Sequence, residues 1–296
     1  MKKGIFAVIY GPSKTGKSTA TGAAGSAGLF IAQGGGGLLP LSNFLGIKDV
    51  HVKQAETLKD AATIIQENCE KYPTIVVDDF SLLAEVTIGE LEKTHSFGDM
   101  WRQLKADVFF VRDAARYANE KGTHVIFNCH YTPARVSSGK YVRGGPKLPG
   151  QLPEQFSAFA DVVAQVEFDE TAAPWKYVLR TGPDKENIRG DRLSVFPDPA
   201  PMNLGEALRA AGYDLARPKG MEWMEKTVET LASSVLAEGI EEWRETLKTA
   251  AAKLKDKKDS KHIRWVLQDA LHRAVIRNSR DNIIDEMFVD STQDVW

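Results

Sequence analysis

Cysteine is nearly absent from this chain: 296 residues contain two, Cys69 and Cys129. That excludes a disulfide framework, and neither cysteine stands at a metal-ligand spacing from histidines, so a reduced, cytoplasmic setting is expected. Long apolar runs are absent too. Nothing approaches the roughly 20 residues that span a bilayer, so no membrane partner is expected. The opening MKKGIFAVIYGPSK has the lysines and apolar stretch of a signal peptide, but the stretch is short and leads into a glycine–lysine motif, so it reads as a first strand. An excess of one charge is also lacking. Lys and Arg number 38 against 40 Asp and Glu, for a net charge of -2. This excludes a uniformly basic nucleic-acid coat protein but leaves room for a local basic site. What remains is ordinary globular composition, 43% hydrophobic and 26% charged, with length for one large core and a smaller appendage.

Short apolar runs alternate with helical spacing over the first 130 residues. GIFAVIY, GLFIA, DVHVK, YPTIVVDD and THVIFNC read as strands. TLKDAATIIQENCE and the segment carrying Trp101, Leu104, Val108, Val111 and Ala115 read as helices. This alternation predicts an α/β fold with a mostly parallel central sheet. DVVAQVEF and WKYVLR read as a further strand pair joined by a turn around Asp169–Pro174, and a short helix closes the core. The expected division is a core over 1–212 and a helical appendage over 213–296. Arg264, Trp265, His272, Arg273 and Arg277 of the appendage read either as a charged solvent face or as a nucleic-acid contact, and its last residues as an acidic, frayed or partner-docking terminus.

GPSKTGKS, from Gly11 to Ser18, satisfies G-x-x-x-x-G-K-[ST] in full, with a strand before it and a helix start after it. Glycines let the backbone turn its N–H groups toward phosphate oxygens, and the helix N-terminus adds its dipole. Gly11, Pro12, Ser13, Lys14, Thr15, Gly16, Lys17, Ser18 and Thr19 are therefore the candidate nucleotide site for ATP. Lys17 would reach the β- and γ-phosphates, and Ser18 would face Mg2+. TIVVDDF delivers Asp78 beside the phosphates as the second Mg2+ residue. Asp79 reads either as a general base or as a cap for the helix that follows. His130, directly after THVIFNC, reads as a sensor of the γ-phosphate or, failing that, as an ordinary strand-end histidine. The glycine run Gly34–Gly37 implies a mobile backbone or a close approach.

Two basic segments follow. YTPARVSSGKYVRGGPKLPG reads as a long, flexible loop carrying Arg135, Lys140, Tyr141, Arg143 and Lys147, and structureless loops of that length are usually functional. LRTGPDKENIRGDR carries Arg180, Lys185, Arg189 and Arg192, which read either as a solvated turn or as a cationic finger reaching a neighbouring subunit's nucleotide.

The order of these features, GPSKTGKS, then TIVVDDF, then a strand ending in a polar residue and a basic loop, resembles the RecA-like recombinase core. GKYVRGGPKLPGQLPEQFSAFADVVAQVEF and YVLRTGPDKENIRGDR are similar to a phage branch of that superfamily, ATP-binding proteins associated with single-strand DNA annealing and recombination. The resemblance covers about residues 4–212. It implies a RecA-like P-loop NTPase core, ATP and Mg2+ as ligands, and single-stranded DNA as partner. It also implies a homo-oligomeric ring or filament, a single-strand-binding protein as a further partner, and the host cytoplasm as location. By position, the segment after His130 corresponds to one DNA loop of the family, and Ser96–Gly98 lies near the other. One departure stands out: where the family places a catalytic glutamate after the second strand, this chain has Gln33. Either Asp79 takes over, or hydrolysis is slow and ATP acts as an assembly signal. The leading expectation is an ATP-dependent single-stranded DNA-binding protein. A non-catalytic ATP-gated scaffold or loader, and a nucleotide kinase-like phosphotransferase using the basic loop as a lid, are the alternatives.

Overall fold

The computed structural model describes residues 3–213 and 215, except 23, 25–27, 34–40, 42–49, 138, 170–176, 195, 201 and 211. The described residues fall within one compact unit. The Gly34–Gly37 run, most of the turn after Asp169 and nearly all of the expected helical appendage lie outside them.

The apolar runs form strands β1 (Phe6–Gly11), β2 (Leu29–Ala32), β3 (His51–Gln54), β4 (Thr74–Val77) and β5 (His124–Thr132). Later in the chain come β6 (Arg135–Ser137), β7 (Lys140–Val142), β8 (Gly145–Pro146), β9 (Val162–Phe168), β10 (Tyr177–Arg180) and β11 (Gly190–Asp191). The main sheet has the order β10–β9–β1–β5–β4–β2–β3, with β11 on β9 and β8 on β5. Its six inner-path strands from β9 to β3 are parallel, and β10 closes one edge antiparallel to β9. Every residue of β1, β2 and β4 is buried, which is why these strands read as unbroken apolar runs rather than alternating ones.

Helices α1 (Lys17–Gly22), α2 (Leu58–Asn68), α3 (Phe80–Glu92), α4 (Phe97–Glu120), α5 (Leu152–Ser157) and α6 (Leu204–Ala210) complete the described elements. Thr57 and Asp60 form a reciprocal capping box at α2, and Ser96 caps α4 through Asp99 N. One sheet face, with Val8, Tyr10, Ile31, Val77 and Phe127, shares a core with Leu58, Leu83, Leu104 and Val108 from α2, α3 and α4. Phe6, Phe80, Phe127 and Phe156 interlock there with ring centroids 4.8–5.3 Å apart. Burying each such ring contributes about 1.5–3 kcal/mol, and the cluster ties α3 and α5 to β1 and β5.

The structure corrects one sequence expectation. The basic stretch after His130 is not a structureless loop. β5 runs on to Thr132, β6 and β7 pair as an antiparallel hairpin, and β8 returns to β5.

Candidate nucleotide site

β1 ends at Gly11 against β9. A Cβ on Gly11 would meet Val166 Cβ at 2.7 Å, so glycine is required there by close packing and not only by the turn. At Gly16 the requirement is conformational, since its φ of +85° lies in the left-handed region. Between them Thr15 Oγ1 donates to Pro12 O at 2.9 Å, closing the loop on itself. Lys17 is buried and donates to Gly11 O at 3.1 Å and Pro12 O at 2.7 Å. Burial pushes its ammonium below the ordinary lysine range, while Asp79 and Asp78 push it back up.

β4 and α3 supply the carboxylates. Asp78 Oδ2 accepts from Ser18 Oγ at 2.7 Å, and Asp78 Oδ1 accepts from Asn128 Nδ2 at 3.1 Å. Burial raises the Asp78 carboxyl above its usual range, and these two hydrogen bonds act against that rise. Asp79 has a different task. Its Oδ1 accepts from Ser81 N at 2.8 Å and caps α3, the second of the two roles read from the sequence. Its Oδ2 lies 2.6 Å from His130 Nε2. A carboxylate only accepts, so Nε2 carries the proton. His130 Nδ1 then faces Ser13 Oγ at 3.3 Å, across to the phosphate loop, and His130 N donates to Ser81 Oγ at 3.0 Å. The expected sensor thus touches both the loop and the cap of α3.

Sequence reasoning missed Asn128, Thr21 and Ser81. The signal for Asn128 was present as a polar residue inside HVIFNCH, but its partner Thr21 lies 107 positions away.

The basic residues separate into two groups. All six residues of β6 and β7 are exposed, among them Arg135, Val136, Lys140 and Tyr141; Val136 is 71% and Tyr141 55% accessible. Arg143 instead lies at the hairpin's base, donating through Nη2 to the carbonyls of Asp184, at 2.9 Å, and Asn187. Lys147 pairs with Glu85 of α3 at 2.7 Å. The base is pinned further by Gly144 N to Glu186 O at 2.7 Å and Ile188 N to Gly144 O at 2.8 Å. In the second basic segment, Arg180 pairs with Glu167 and Asp169 at 2.9 and 3.3 Å. Arg189 pairs with Asp184 at 3.3 Å, and Arg192 donates to Ala158 O at 2.5 Å. Lys185 is exposed. Three of the four finger candidates therefore have partners inside this chain.

Among the described residues no helix is long and apolar enough to cross a membrane. No curated protein sequence matches the chain. Among solved structures it is similar to a prototypical ATPase from the type III secretion system of pathogenic bacteria. That similarity is at 13% identity over 92% of this chain and 80% of that one, with a TM-score of 0.44. The family model described as AAA domain matches residues 3–193. That span holds the phosphate loop, Asp78, Asp79, His130 and the hairpin, and the chain belongs to this AAA-domain family of P-loop ATPases.

Proposed function

We propose that the protein is an ATP-dependent single-stranded DNA-binding protein acting in phage recombination or annealing. ATP and Mg2+ would be held by residues 11–19 with Asp78, and DNA by the hairpin within 131–150. The observation that supports this reading is the hairpin itself: it has no buried strand residue, it presents Arg135, Lys140 and Tyr141, and it follows directly on the strand that carries His130 to the phosphate loop. Cations on such a ribbon neutralise backbone phosphates, and an exposed tyrosine offers a stacking surface worth about 1–3 kcal/mol per base.

The residues present suit Mg2+. Ser18 Oγ and Asp78 Oδ2 set a hydroxyl and a carboxylate oxygen 2.7 Å apart, the all-oxygen chemistry this ion takes. Among the described residues no group of three or more His, Cys, Asp or Glu forms a metal cluster. Mg2+ held by Ser18 and Asp78 would complete its shell with waters and nucleotide phosphate oxygens. When bound, Mg2+ neutralises charge on the β- and γ-phosphate oxygens. Lys17 exchanges its contacts with Gly11 O and Pro12 O for phosphate oxygens, and His130 with Ser13 reads the terminal phosphate.

One observation favours a second reading, a non-catalytic ATP-gated loader. Both Asp79 oxygens are already engaged by the α3 cap and His130, and Gln33 stands where a catalytic glutamate is expected. Neither position offers a free carboxylate base, so hydrolysis is slow and ATP serves as an assembly signal for a ring or filament.

The test is anisotropy of a fluorescent oligothymidine, with and without MgATP, over a salt series. Arg135→Ala with Lys140→Ala should weaken binding and flatten the log–log salt slope by about 1.4, at roughly 0.7 per cation on a single strand. MgATP affinity should stay unchanged. Wild-type protein that ignores the oligonucleotide in both nucleotide states sinks the DNA reading. MgATP-dependent capture of another replication protein then supports the loader, and phosphate transfer to a nucleotide supports a kinase.

A further inference from the structure

Asp78 and Ser18 belong to different elements, yet they lie in contact. The register of β4 against β5 pairs Val77 with Phe127, so Asp78, just past the end of β4, stands beside Asn128, inside β5. Asn128 is fully buried. Its Nδ2 donates to Asp78 Oδ1 and to Thr21 Oγ1, both at 3.1 Å. The carboxylate can only accept, which fixes the amide's orientation. Thr21 Oγ1 in turn donates to Lys17 O at 3.1 Å and Ser18 O at 3.2 Å, one helical turn back. Ser18 Oγ donates to Asp78 Oδ2 at 2.7 Å. The four side chains close a ring: Ser18 to Asp78, Asp78 to Asn128, Asn128 to Thr21, and Thr21 back to the first turn of α1.

A ring of this kind constrains what a single contact does not. With only the Ser18–Asp78 hydrogen bond, either side chain can rotate away. With Asn128 holding the other carboxylate oxygen and Thr21 holding Asn128, rotation of Asp78 breaks a second, buried bond. The arrangement has a cost, because Asn128 Oδ1 is buried with no partner. Such an orphan acceptor costs about 1–3 kcal/mol, while an apolar residue of similar size would instead leave Asp78 Oδ1 without its Nδ2 donor.

We propose that Asn128 is a positioning residue for the Mg2+ side of the nucleotide site, locking Asp78 and Ser18 at the separation that receives the ion, with Thr21 as its tether. This rests on the reading of Ser18 and Asp78 as the Mg2+ pair. Asn128 touches neither nucleotide nor metal in this role. It sets the geometry of the groups that do, and such outer partners are typically worth 10- to 100-fold in metal affinity.

The measurement is the dissociation constant of ATP by calorimetry, taken in Mg2+ and again in EDTA, together with the melting temperature. The variants are Asn128→Leu, Asn128→Asp and Thr21→Val, with Asp78→Asn as reference. Asn128→Leu should reduce the Mg2+-dependent gain in affinity about 10-fold while leaving the EDTA value unchanged. Asn128→Asp, which sets an acceptor against the Asp78 carboxylate, should reduce it further. Thr21→Val, which keeps the side-chain volume, should give a smaller loss in the same direction. Equal weakening in Mg2+ and EDTA, or an unchanged Mg2+ gain in all three variants, overturns the proposal. Should Asn128→Leu fail to fold, Thr21→Val decides. A wild type or Asp78→Asn protein whose Mg2+ gain is absent or unaffected, respectively, sinks the assignment of the Mg2+ pair itself, a result separable from the first because it does not involve Asn128.

Discussion

Tyr10 lies one residue before the phosphate loop, fully buried, with its ring stacked on Tyr131 at 5.8 Å. Its hydroxyl has no hydrogen-bond partner, so the strand that feeds the nucleotide site carries an uncompensated polar atom. Burial first, then the neighbouring Tyr131, holds the phenol well above its ordinary value near 10. A folded-state pKa above the unfolded one adds stability that is intact below the unfolded value and is lost as pH climbs past it. Tyr10→Phe should therefore raise stability by about 1 kcal/mol at pH 7, by removing the orphan hydroxyl. It should also shrink the loss of stability above pH 10. Urea unfolding of both proteins at pH 7 and at alkaline pH checks this; a Phe variant that is less stable at pH 7 would show that the hydroxyl has a partner after all. Asp79 teaches a related lesson about individual residues. From sequence it read equally as a base or a cap, and only the distance to Ser81 N shows the cap, while the distance to His130 Nε2 shows a contact that no local pattern announces.

The strands of the sheet were readable because burial on both faces leaves a continuous apolar run, and β1, β2 and β4 are such runs. The β6–β7 hairpin was not readable for the converse reason. None of its residues faces a core, so it carries no period-two pattern, and its basic, glycine-containing text looks like an unstructured loop. What holds it in place lies far along the chain, in the 184–188 segment. Arg143 is the main clamp, with Nη2 bonded to two carbonyls there. Tyr131, immediately after His130, reaches the same segment through Asn187 Oδ1 at 2.9 Å. Charge-assisted hydrogen bonds of this kind contribute about 1.5–3 kcal/mol. Arg143→Ala should therefore loosen the hairpin while the sheet stays folded. The expected outcome is faster limited proteolysis between Arg135 and Lys147 with far-ultraviolet circular dichroism unchanged, and weaker oligothymidine binding. Equal protease resistance in variant and wild type would show that the backbone bonds at Gly144 suffice. Arg143 was read from sequence as a DNA contact. The geometry gives it a scaffolding position, and leaves Arg135, Lys140 and Tyr141 as the groups that face outward.

Ligand binding turns these local contacts into a property of the folded unit, because a ligand that binds only the native state stabilises it by mass action. At MgATP 100-fold above its dissociation constant the gain is about 2.7 kcal/mol, or roughly 5–10 °C in melting temperature for a unit of this size. The chain divides into two units, and the first contains the whole phosphate loop, Asp78, Asn128 and His130. Only the transition of that unit should move with MgATP. Lys17→Ala removes the cation that answers the phosphates. Its binding should weaken by about 10- to 100-fold, the worth of a charge-assisted contact, and the gain at the same MgATP concentration should fall to about 0.4–1.4 kcal/mol, half of the wild-type value or less. Scanning calorimetry of wild type and Lys17→Ala, each with and without MgATP, separates the possible arrangements. A transition that moves in the wild type and moves by half as much or less in the variant supports nucleotide binding at residues 11–19 of the first unit. A single transition that moves as a whole would mean that the chain unfolds as one cooperative block. An undiminished shift in Lys17→Ala would mean that the nucleotide does not depend on the ammonium that sits buried against Gly11 O and Pro12 O, and would overturn the assignment of residues 11–19.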